Sequence, residues 1–573
     1  MIAIMTHKKY LMISGAAVLA FGFLSCGDLL NLTPIDYYSG NSYWRNEAHV
    51  QSYVHTLHYD MRSVSGTHML SFGELRGGGL RIDGYTVDLS SGDHGDLILN
   101  NLDEDATGVS NYADYYGKIV NVNLFIQRVS EATYLSEERK AYYLGVGYGL
   151  RAFYYFDLYR AFGWVVLRED AQVIDGNFDP VSLRKPQSSP KEVMAFIKKD
   201  LKASLDNFDA SGGTTFSKGN LVNNSKAYWT KAATEYLKGE VYLWNSKVTI
   251  GDNPAVPGDI DEAKTAFSNV VNNYGLRLLP KFSDIFSTKD NAEQIFCIRY
   301  KEGESTNWLH TYCYNMTTGQ ARLYAYTEDG VSINEDPLKM IQGTVMRNEH
   351  KTGIYESYDR TDQRRNATFL GAYGLKEGAT DPKNPENLEL CGVFTRKNIG
   401  HVSSATGLRV TDGDYIYYRL AGAYLALAEI ANFKGDNAGV RDNLNEVRKR
   451  AYADKWDESL YGFTPGDFRT NELAILAEKD KEMVQEGQRW YDINRMTISK
   501  GGEHLVFLPE SYVKGIKQVK VGGKLRYEPD LPAPAPILDK TKESHKVLWP
   551  INKSQLQNDD SLVQTPGYKK DMS

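Results

Sequence analysis

The sequence predicts a mainly α-helical protein built from stacked helix pairs, and three features predict it. The stretch RLAGAYLALAEIANFKGDNAGVRDNLNEVRKRAY, Arg419 to Tyr452, reads as two amphipathic helices. Leu420, Tyr424, Leu427, Ala428 and Ala431 fall on one face of the first, and Val440, Leu444, Val447 and Ala451 on one face of the second. Gly435 stops the first and Asp436 caps the next, giving a unit of tetratricopeptide size. A second such unit lies upstream. KAATEYLKGEVYLWN, Lys231 to Asn245, is followed after Gly258-Asp259 by a helix with Ala263, Phe267, Val270, Val271 and Tyr274 on one side. Between the two units, about Leu276 to Asp414, sustained helical periodicity is missing and aromatic residues are frequent, which marks a loop-rich functional insertion rather than disorder.

From the N-terminus, His7, Lys8 and Lys9 precede an apolar run, Tyr10 to Leu24. The run is too short to span a bilayer, which needs roughly 20 apolar residues, and its flanks are those of an export signal. It closes on Leu24-Ser25-Cys26-Gly27, which resembles the lipobox of bacterial lipoproteins. Cys26 is therefore the expected lipidation site, with residues 1–25 removed as signal peptide. Acyl chains contribute about 0.8 kcal/mol per buried CH2, enough for two or three to hold a protein on a membrane. Further helices are expected from Tyr115 to Ser130, from Ser136 to Phe162, and from Pro190 at a helix start. Ser63 to Asn111 reads as irregular, as do Phe463 to Gly466 and Lys500 to Asn558.

In EMVQEGQRWYDINR, Met483, Gly487, Trp490, Tyr491 and Asn494 line one helix face, and Glu486 and Arg489 stand at i, i+3, where they can pair. Pro550 and Pro566 give the terminal segment an extended path, read as a strap over the scaffold.

Composition narrows the function classes. The net charge of −7 and the lack of a basic tract exclude a nucleic-acid partner. With Cys26 lipidated, Cys297, Cys313 and Cys391 remain, with no metal-ligand spacing; whether Cys297 and Cys313 pair stays open. Thirty-nine tyrosines and eight tryptophans suit both helical cores and surfaces that bind polar ligands with flat apolar faces.

Seven blocks in order behind the lipobox resemble the SusD/RagB family of outer-membrane lipoproteins: CGDLL with Pro34 and Tyr43-Trp44-Arg45-Asn46; LRAFYYFDLYRAFGWVVL; Trp229 to Trp244; FSDIF with NAEQIFCIRY; the pair at Arg419 to Tyr452; EKDKEMVQEGQRWYDINRM; and LWPINKSQLQNDDSLVQTPGY. The resemblance implies a right-handed superhelix of about four tetratricopeptide-like helix pairs with loop-rich insertions and a few short strands. It divides the chain into residues 26–275, an N-terminal scaffold part, and 276–573, which holds the ligand-binding insertion and the closing helix pairs. It further implies a lipid-anchored protein facing the cell exterior. Such a protein captures a glycan, or in some members a peptide, without catalysis, and delivers it to a TonB-dependent SusC-like transporter.

No HExxH, GxSxG or GxxxxGK[ST] motif is present, and no cofactor or metal is expected. Gly145-Val146-Gly147-Tyr148-Gly149 misses the dinucleotide loop at its sixth position, so its glycines are expected to allow close packing. Thr411-Asp412-Gly413-Asp414 is read as a solvated turn rather than a calcium loop. A surface glycoside hydrolase stays a rival because paired carboxylates are invisible in sequence, and a scaffold binding only proteins is a second.

Two segments mix aromatic faces with polar grips. Gly73 to Asp88 offers Glu74, Arg81, Asp83 and Tyr85 among glycines. Asn307 to Gly330 offers Trp308, Tyr312, Tyr314 and Arg322, with Tyr324 and Tyr326 on one face of a short strand. These ten residues are the expected ligand contacts.

Overall fold

The computed structural model describes residues 43–82, 94–104, 112–171, 180–212, 225–307, 326–333, 336–340, 348–521 and 524–569. Cys26, Asp83, Tyr85 and the segment 308–325, with Trp308, Tyr312, Cys313, Tyr314, Arg322 and Tyr324, lie outside the described residues. Among the described residues no helix is long and apolar enough to cross a membrane.

The scaffold is a superhelical, tetratricopeptide-like stack of four helix pairs. α1 (Glu47–Gly66) packs on α2 (Ala113–Glu131), α3 (Glu137–Phe162) on α4 (Pro190–Ala210), α5 (Lys231–Lys247) on α6 (Asp259–Asn273), and α7 (Leu420–Lys434) on α8 (Asn437–Tyr452). Consecutive pairs meet through α2 and α3, α4 and α5, and α6 and α7. α9 (Phe468–Glu482) closes the stack against α7.

Local chemistry sets these boundaries. Asn46, Ser136, Ser189, Thr230 and Asp436 each accept a first-turn N–H, with a full capping box between Ser189 and Glu192. Gly435 ends α7 in the left-handed region, φ 72°, where a side chain would be strained.

The glycines of α3 are contact points. A Cβ on Gly149 would lie 2.2 Å from the Trp229 indole nitrogen, one on Gly147 2.8 Å from Ile126, and one on Gly145 2.9 Å from the Phe208 ring.

The stretch read as irregular from Ser63 is helical for its first part. α1 runs to Gly66 and continues as a π-helical segment, Thr67–Glu74. The wider winding brings Gly73 against Gly487, where a Cβ would meet the Gly487 carbonyl at 2.1 Å.

Among the described residues, the insertion and the segments beside the helix pairs form two-stranded antiparallel sheets. β1 (Leu80–Ile82) pairs with β3 (Asn348–His350), β2 (Gln294–Ile298) with β8 (Tyr415–Arg419), and β4 (Phe369–Leu375) with β5 (Leu388–Thr395). β6 (His401–Val402) pairs with β7 (Arg409–Val410), and β9 (Ile516–Val521) with β10 (Lys524–Pro529). β2 and β8 are buried along their whole length, which is why neither shows an alternating pattern in the sequence. β8 carries Tyr417 against Phe153, Phe296 and His68, so a large part of the tyrosine excess is core.

A buried charge network joins the insertion to the scaffold. Arg419, with no exposed surface, donates to Glu293 (3.0 Å), Glu482 (2.6 Å) and both carboxylate oxygens of Glu486 (2.7 Å each). Arg450 pairs with Glu293 and Glu482; Arg364 with Asp362, Glu478 and Glu482; Lys397 with Glu486; and Arg448 with Glu478. Burial alone would push the Glu482 carboxyl up, but Arg450, Arg419 and Arg364 overcome it and hold it well below the usual carboxylate range.

Three sequence expectations are corrected here. The segment from Glu478 to Met496 is two helices, α9 and α10 (Arg489–Arg495), because Gln485 (φ 64°) and Gly487 (φ 71°) turn the chain. That turn separates Glu486 from Arg489. Glu486 serves Arg419 and Lys397, while Arg489 pairs with Asp480 and donates to the carbonyls of Gly77 (2.7 Å) and Ser511 (2.8 Å). The turn at Asp412–Asp414 is not solvated: Asp414 is buried, paired with Arg299 (2.9 Å) and bonded to the Tyr300 N–H (3.1 Å). Cys297, beside it, is a buried free thiol. The terminal strap is present. Trp549 is buried, its main-chain N–H donates to the Ala161 carbonyl (2.7 Å), and one short helix, Lys553–Asn558, interrupts the extended path.

Replacing Arg419 by Met strands Glu482 and Glu486 without their main partner. Breaking a buried pair from one side costs about 3–5 kcal/mol, so the denaturation midpoint of Arg419→Met should fall markedly; an unchanged midpoint would show that the network holds little.

Glu74 gives a pH test. It is buried, accepts the Gln485 N–H at 3.2 Å through one oxygen, and leaves the other unpartnered. Burial pushes its carboxyl up to about 7. An acid whose pKa is raised on folding binds its proton more tightly in the native state. Native stability from this group is therefore full below the unfolded value of about 4.3 and is lost as pH rises through about 7. Glu74→Gln keeps the acceptor and removes the charge. The variant should be more stable than wild type at pH 8, by on the order of 2–3 kcal/mol, with the difference vanishing near pH 4; equal stability at both pH values would refute the buried acid.

Candidate ligand-binding face

The β1–β3 and β4–β5 pairs meet where β3 packs against β5. Arg81 on β1 stands opposite Glu349 on β3 and donates to it from Nε at 3.1 Å, and a second guanidinium nitrogen reaches the Ile516 carbonyl. Arg81 thus ties three segments together. Glu74 is in the interior and accepts from the Gln485 turn. Tyr326 is half-buried, and its main chain pairs antiparallel with Tyr373 of β4 (N–H to O 3.0 and 2.8 Å). The expected strand character at Tyr326 is therefore present.

Tyr373 belongs to a cluster that the sequence did not suggest. The Arg365 guanidinium stacks 4.0 Å from the Tyr355 ring centre, pairs with Glu328 (3.0 Å through one nitrogen) and reaches the Tyr373 hydroxyl at 3.5 Å. Arg360 also pairs with Glu328, at 3.0 Å. Burial pushes the hydroxyls of Tyr355 and Tyr373 up, so both remain protonated donors.

The helical turn that carries Arg365, Gln363–Thr368, presents Asn366 to a neighbouring pocket of about 450 Å³. Phe286 forms an apolar part of its wall, and Arg396, Arg409, Asn366, Asn398 and Ser283 supply polar groups. The groups differ in availability. Arg409 is committed to the carbonyls of Leu338 (2.6 Å) and Gly400 (2.9 Å). Arg396 and Asn366 are exposed, and their side chains make no hydrogen bond or ion pair among the described residues. Asn398 is held in the left-handed region, φ 61°, and its buried side-chain oxygen has no partner. No Asp or Glu is among the described residues lining this pocket.

Asn307, among the described residues, links the pocket to the start of the expected aromatic segment. Asn307, the residue before Trp308, donates from its side chain to the Gly413 carbonyl (3.0 Å). Gly413 packs against Asn398 and Gly400, where a Cβ would lie 2.4 Å from the Asn398 carbonyl oxygen. Sequence reasoning named the segment beyond Asn307 but missed Arg396, Asn366 and Asn398. The only trace was the polar run Thr395-Arg396-Lys397-Asn398 directly after an apolar strand.

A sequence profile of the SusD family matches residues 281–568. A crystal structure of a SusD superfamily protein from Bacteroides fragilis is 46% identical, covers 92% of this chain and all of its own, and superposes with a TM-score of 0.80. The SusD-like protein P38 of Formosa agariphila is 24% identical over 516 residues, which is 86% of this chain and 92% of that protein. A laminarin-binding SusD-like protein shares the fold at 18% identity and a TM-score of 0.59, covering 91% of this chain and all of its own. On the helix-pair scaffold, the profile and these likenesses together, the chain belongs to the SusD family.

Proposed function

We propose that this protein is a cell-surface lipoprotein that captures an oligo- or polysaccharide on its insertion face and passes it to a TonB-dependent SusC-like transporter. The observation that carries the reading is the pocket beside Asn307. It sets an apolar ring, Phe286, next to unengaged polar side chains, Arg396, Asn366 and Asn398. A pyranose needs this combination, an aromatic surface for its C–H face and fixed donors and acceptors for its hydroxyls. Family membership supports the reading, and so does the laminarin-binding relative, which shares the scaffold.

The chemistry favours binding over hydrolysis. Glycoside hydrolysis uses two carboxylates flanking the scissile bond, and the described lining offers cations, amides and hydroxyls instead. Two or three ring contacts of roughly 0.5–1.5 kcal/mol each, with a few hydrogen bonds, give micromolar to millimolar affinity. Affinity in that range suits capture and release to a transporter. We place the remaining contacts on Trp308, Tyr312, Tyr314, Arg322 and Tyr324, with Tyr326 at the far end of that segment, and on Asp83 and Tyr85 beyond the strand that carries Arg81. We place the lipid on Cys26.

The body lacking residues 1–25, screened on a glycan array with product analysis, tests the function. Binding of at least one glycan without release of shorter products is expected; hydrolysis of the bound glycan, or binding of peptides alone, would overturn the reading. Arg396→Ala and Trp308→Ala should each weaken the glycan at least fivefold and leave the melting temperature within about a degree. Trp490→Ala should do the reverse, because Trp490 is buried against the Arg76 guanidinium at 3.9 Å, and deleting such a ring costs about 3–5 kcal/mol. A fall in melting temperature for Trp308→Ala equal to that for Trp490→Ala would place Trp308 in the core. Cys26→Ser should lose incorporation of a palmitate analogue; retained label would refute the anchor.

A further inference from the structure

The pocket against Phe286 is cationic. Arg396 and Arg409 line it, and no Asp or Glu joins them among the described residues. This runs against the balance of the whole chain, which carries a net charge of −7. Arg409 is oriented by main-chain carbonyls. Arg396 is exposed, and its guanidinium has no hydrogen bond or ion pair among the described residues.

The position of Arg396 is nonetheless fixed. Its main-chain N–H donates to the Thr368 carbonyl (2.7 Å), at the end of the helical turn that presents Asn366. The same turn anchors the opposite wall, because the Gln363 side-chain oxygen accepts the Phe282 N–H (3.0 Å) one turn before Phe286. Ring, amide and guanidinium are therefore held to one short helical turn.

A lone arginine on an open surface is screened by water and salt and implies no ligand. Arg396 is placed differently. Surrounding protein pushes its pKa down, and what opposes the shift is the Tyr355 hydroxyl, not a carboxylate. The acids that come near the lining are engaged elsewhere. Asp412, against Gly400, is bonded to His401 (2.9 Å) and lies 3.8 Å from Lys289. Asp336 accepts the Leu338 and Met340 N–H groups (2.9 and 3.0 Å). Glu328 pairs with Arg360 and Arg365, and Asp284 with Lys281 (3.7 Å). The buried network below is balanced within itself, each cation facing a carboxylate. Residues 308–325, which follow Asn307 in sequence, add His310 and Arg322 and contain no Asp or Glu.

Taking glycan capture at this pocket as the basis, we infer that the captured saccharide is acidic: its ring rests on Phe286, its carboxylate or sulfate pairs with the Arg396 guanidinium, and a hydroxyl meets the Asn366 amide. A planar guanidinium offers two parallel N–H groups that match the edge of a carboxylate or sulfate. Its five donors leave others for a hydroxyl of the same sugar. A ring seated on Phe286 displaces water from around the cation. A neutral sugar returns only hydroxyl dipoles for that water, whereas an acidic sugar returns a counter-charge, and hydrogen bonds to an ionised partner are the stronger kind.

An array of neutral, uronate-containing and sulfated oligosaccharides, probed with the body lacking residues 1–25, tests the charge requirement. The tightest binder should carry a carboxylate or a sulfate, and which of the two it carries identifies the group. By calorimetry, carboxyl reduction or desulfation of that binder should weaken it at least fivefold. Raising NaCl from 50 to 500 mM should weaken the acidic form at least threefold and its neutralised form less than twofold. In Arg396→Gln the acidic and neutralised forms should bind within twofold of each other. Tightest binding of a neutral glycan, or equal binding of the acidic form and its neutralised counterpart to wild type, would overturn the charge requirement and leave glycan capture standing. Full discrimination retained by Arg396→Gln would overturn the role of Arg396. Binding of no glycan at all, or of acidic peptides alone, would overturn glycan capture itself. The wild-type comparison needs no variant, so a misfolded Arg396→Gln would not shield the proposal.

Discussion

The buried Arg419 guanidinium is the constraint on which the rest of the molecule depends. It sits at the junction of β8 and α7, where the insertion returns to the scaffold. Desolvating a guanidinium costs several kcal/mol, so the fold must bring carboxylates to it. Glu293 arrives just before β2, Glu482 at the end of α9, and Glu486 from the turn after it. Each acid then demands further cations, which recruits Arg364, Lys397, Arg448 and Arg450 until five cations face five carboxylates. Such a network specifies relative positions more than it stabilises, because misplacing any member strands a buried charge.

That specification reaches the ligand pocket. Lys397 belongs to the network, and its neighbours in sequence, Arg396 and Asn398, belong to the pocket. Phe282 lies under the Arg450 guanidinium at 4.9 Å, and the Lys397 ammonium lies 4.8 Å from Phe286. One side of this short stretch is therefore locked into the core while the other is left open. A pocket on so fixed a base binds without paying to order its backbone. The same residue type does opposite work a short distance apart: Arg409 and Arg81 are spent on carbonyls and a carboxylate, while Arg396 is left available.

The helices that were legible carry an apolar stripe at helical spacing, and several add a side-chain cap, as at Ser189–Glu192 and Asp436. Three kinds of feature were not. The continuation of α1 into a π-helical turn depends on Gly73 meeting Gly487, more than four hundred residues away in sequence, and no local pattern announces such a meeting. The separation of Glu486 from Arg489 depends on a break at Gln485 and Gly487, whereas i, i+3 spacing suggested a pair. The candidate site was half legible. Aromatic content pointed to the insertion, but Glu74 and Arg81 looked like free polar groups and are committed to internal partners. What separates Arg81 from Arg396 is the Glu349 carboxylate and the Ile516 carbonyl that the fold brings to it, and such partners are a property of the fold rather than of the residue.

The central claim is that a glycan lies against Phe286 with Arg396, Asn366 and Asn398 gripping its hydroxyls. A crystal structure of the body, grown with whichever oligosaccharide the array selects, tests it most directly. The account predicts a sugar ring within van der Waals distance of Phe286 and a hydroxyl within about 3 Å of the Arg396 guanidinium. A well-ordered oligosaccharide bound elsewhere on the protein, with this pocket holding solvent, would contradict it.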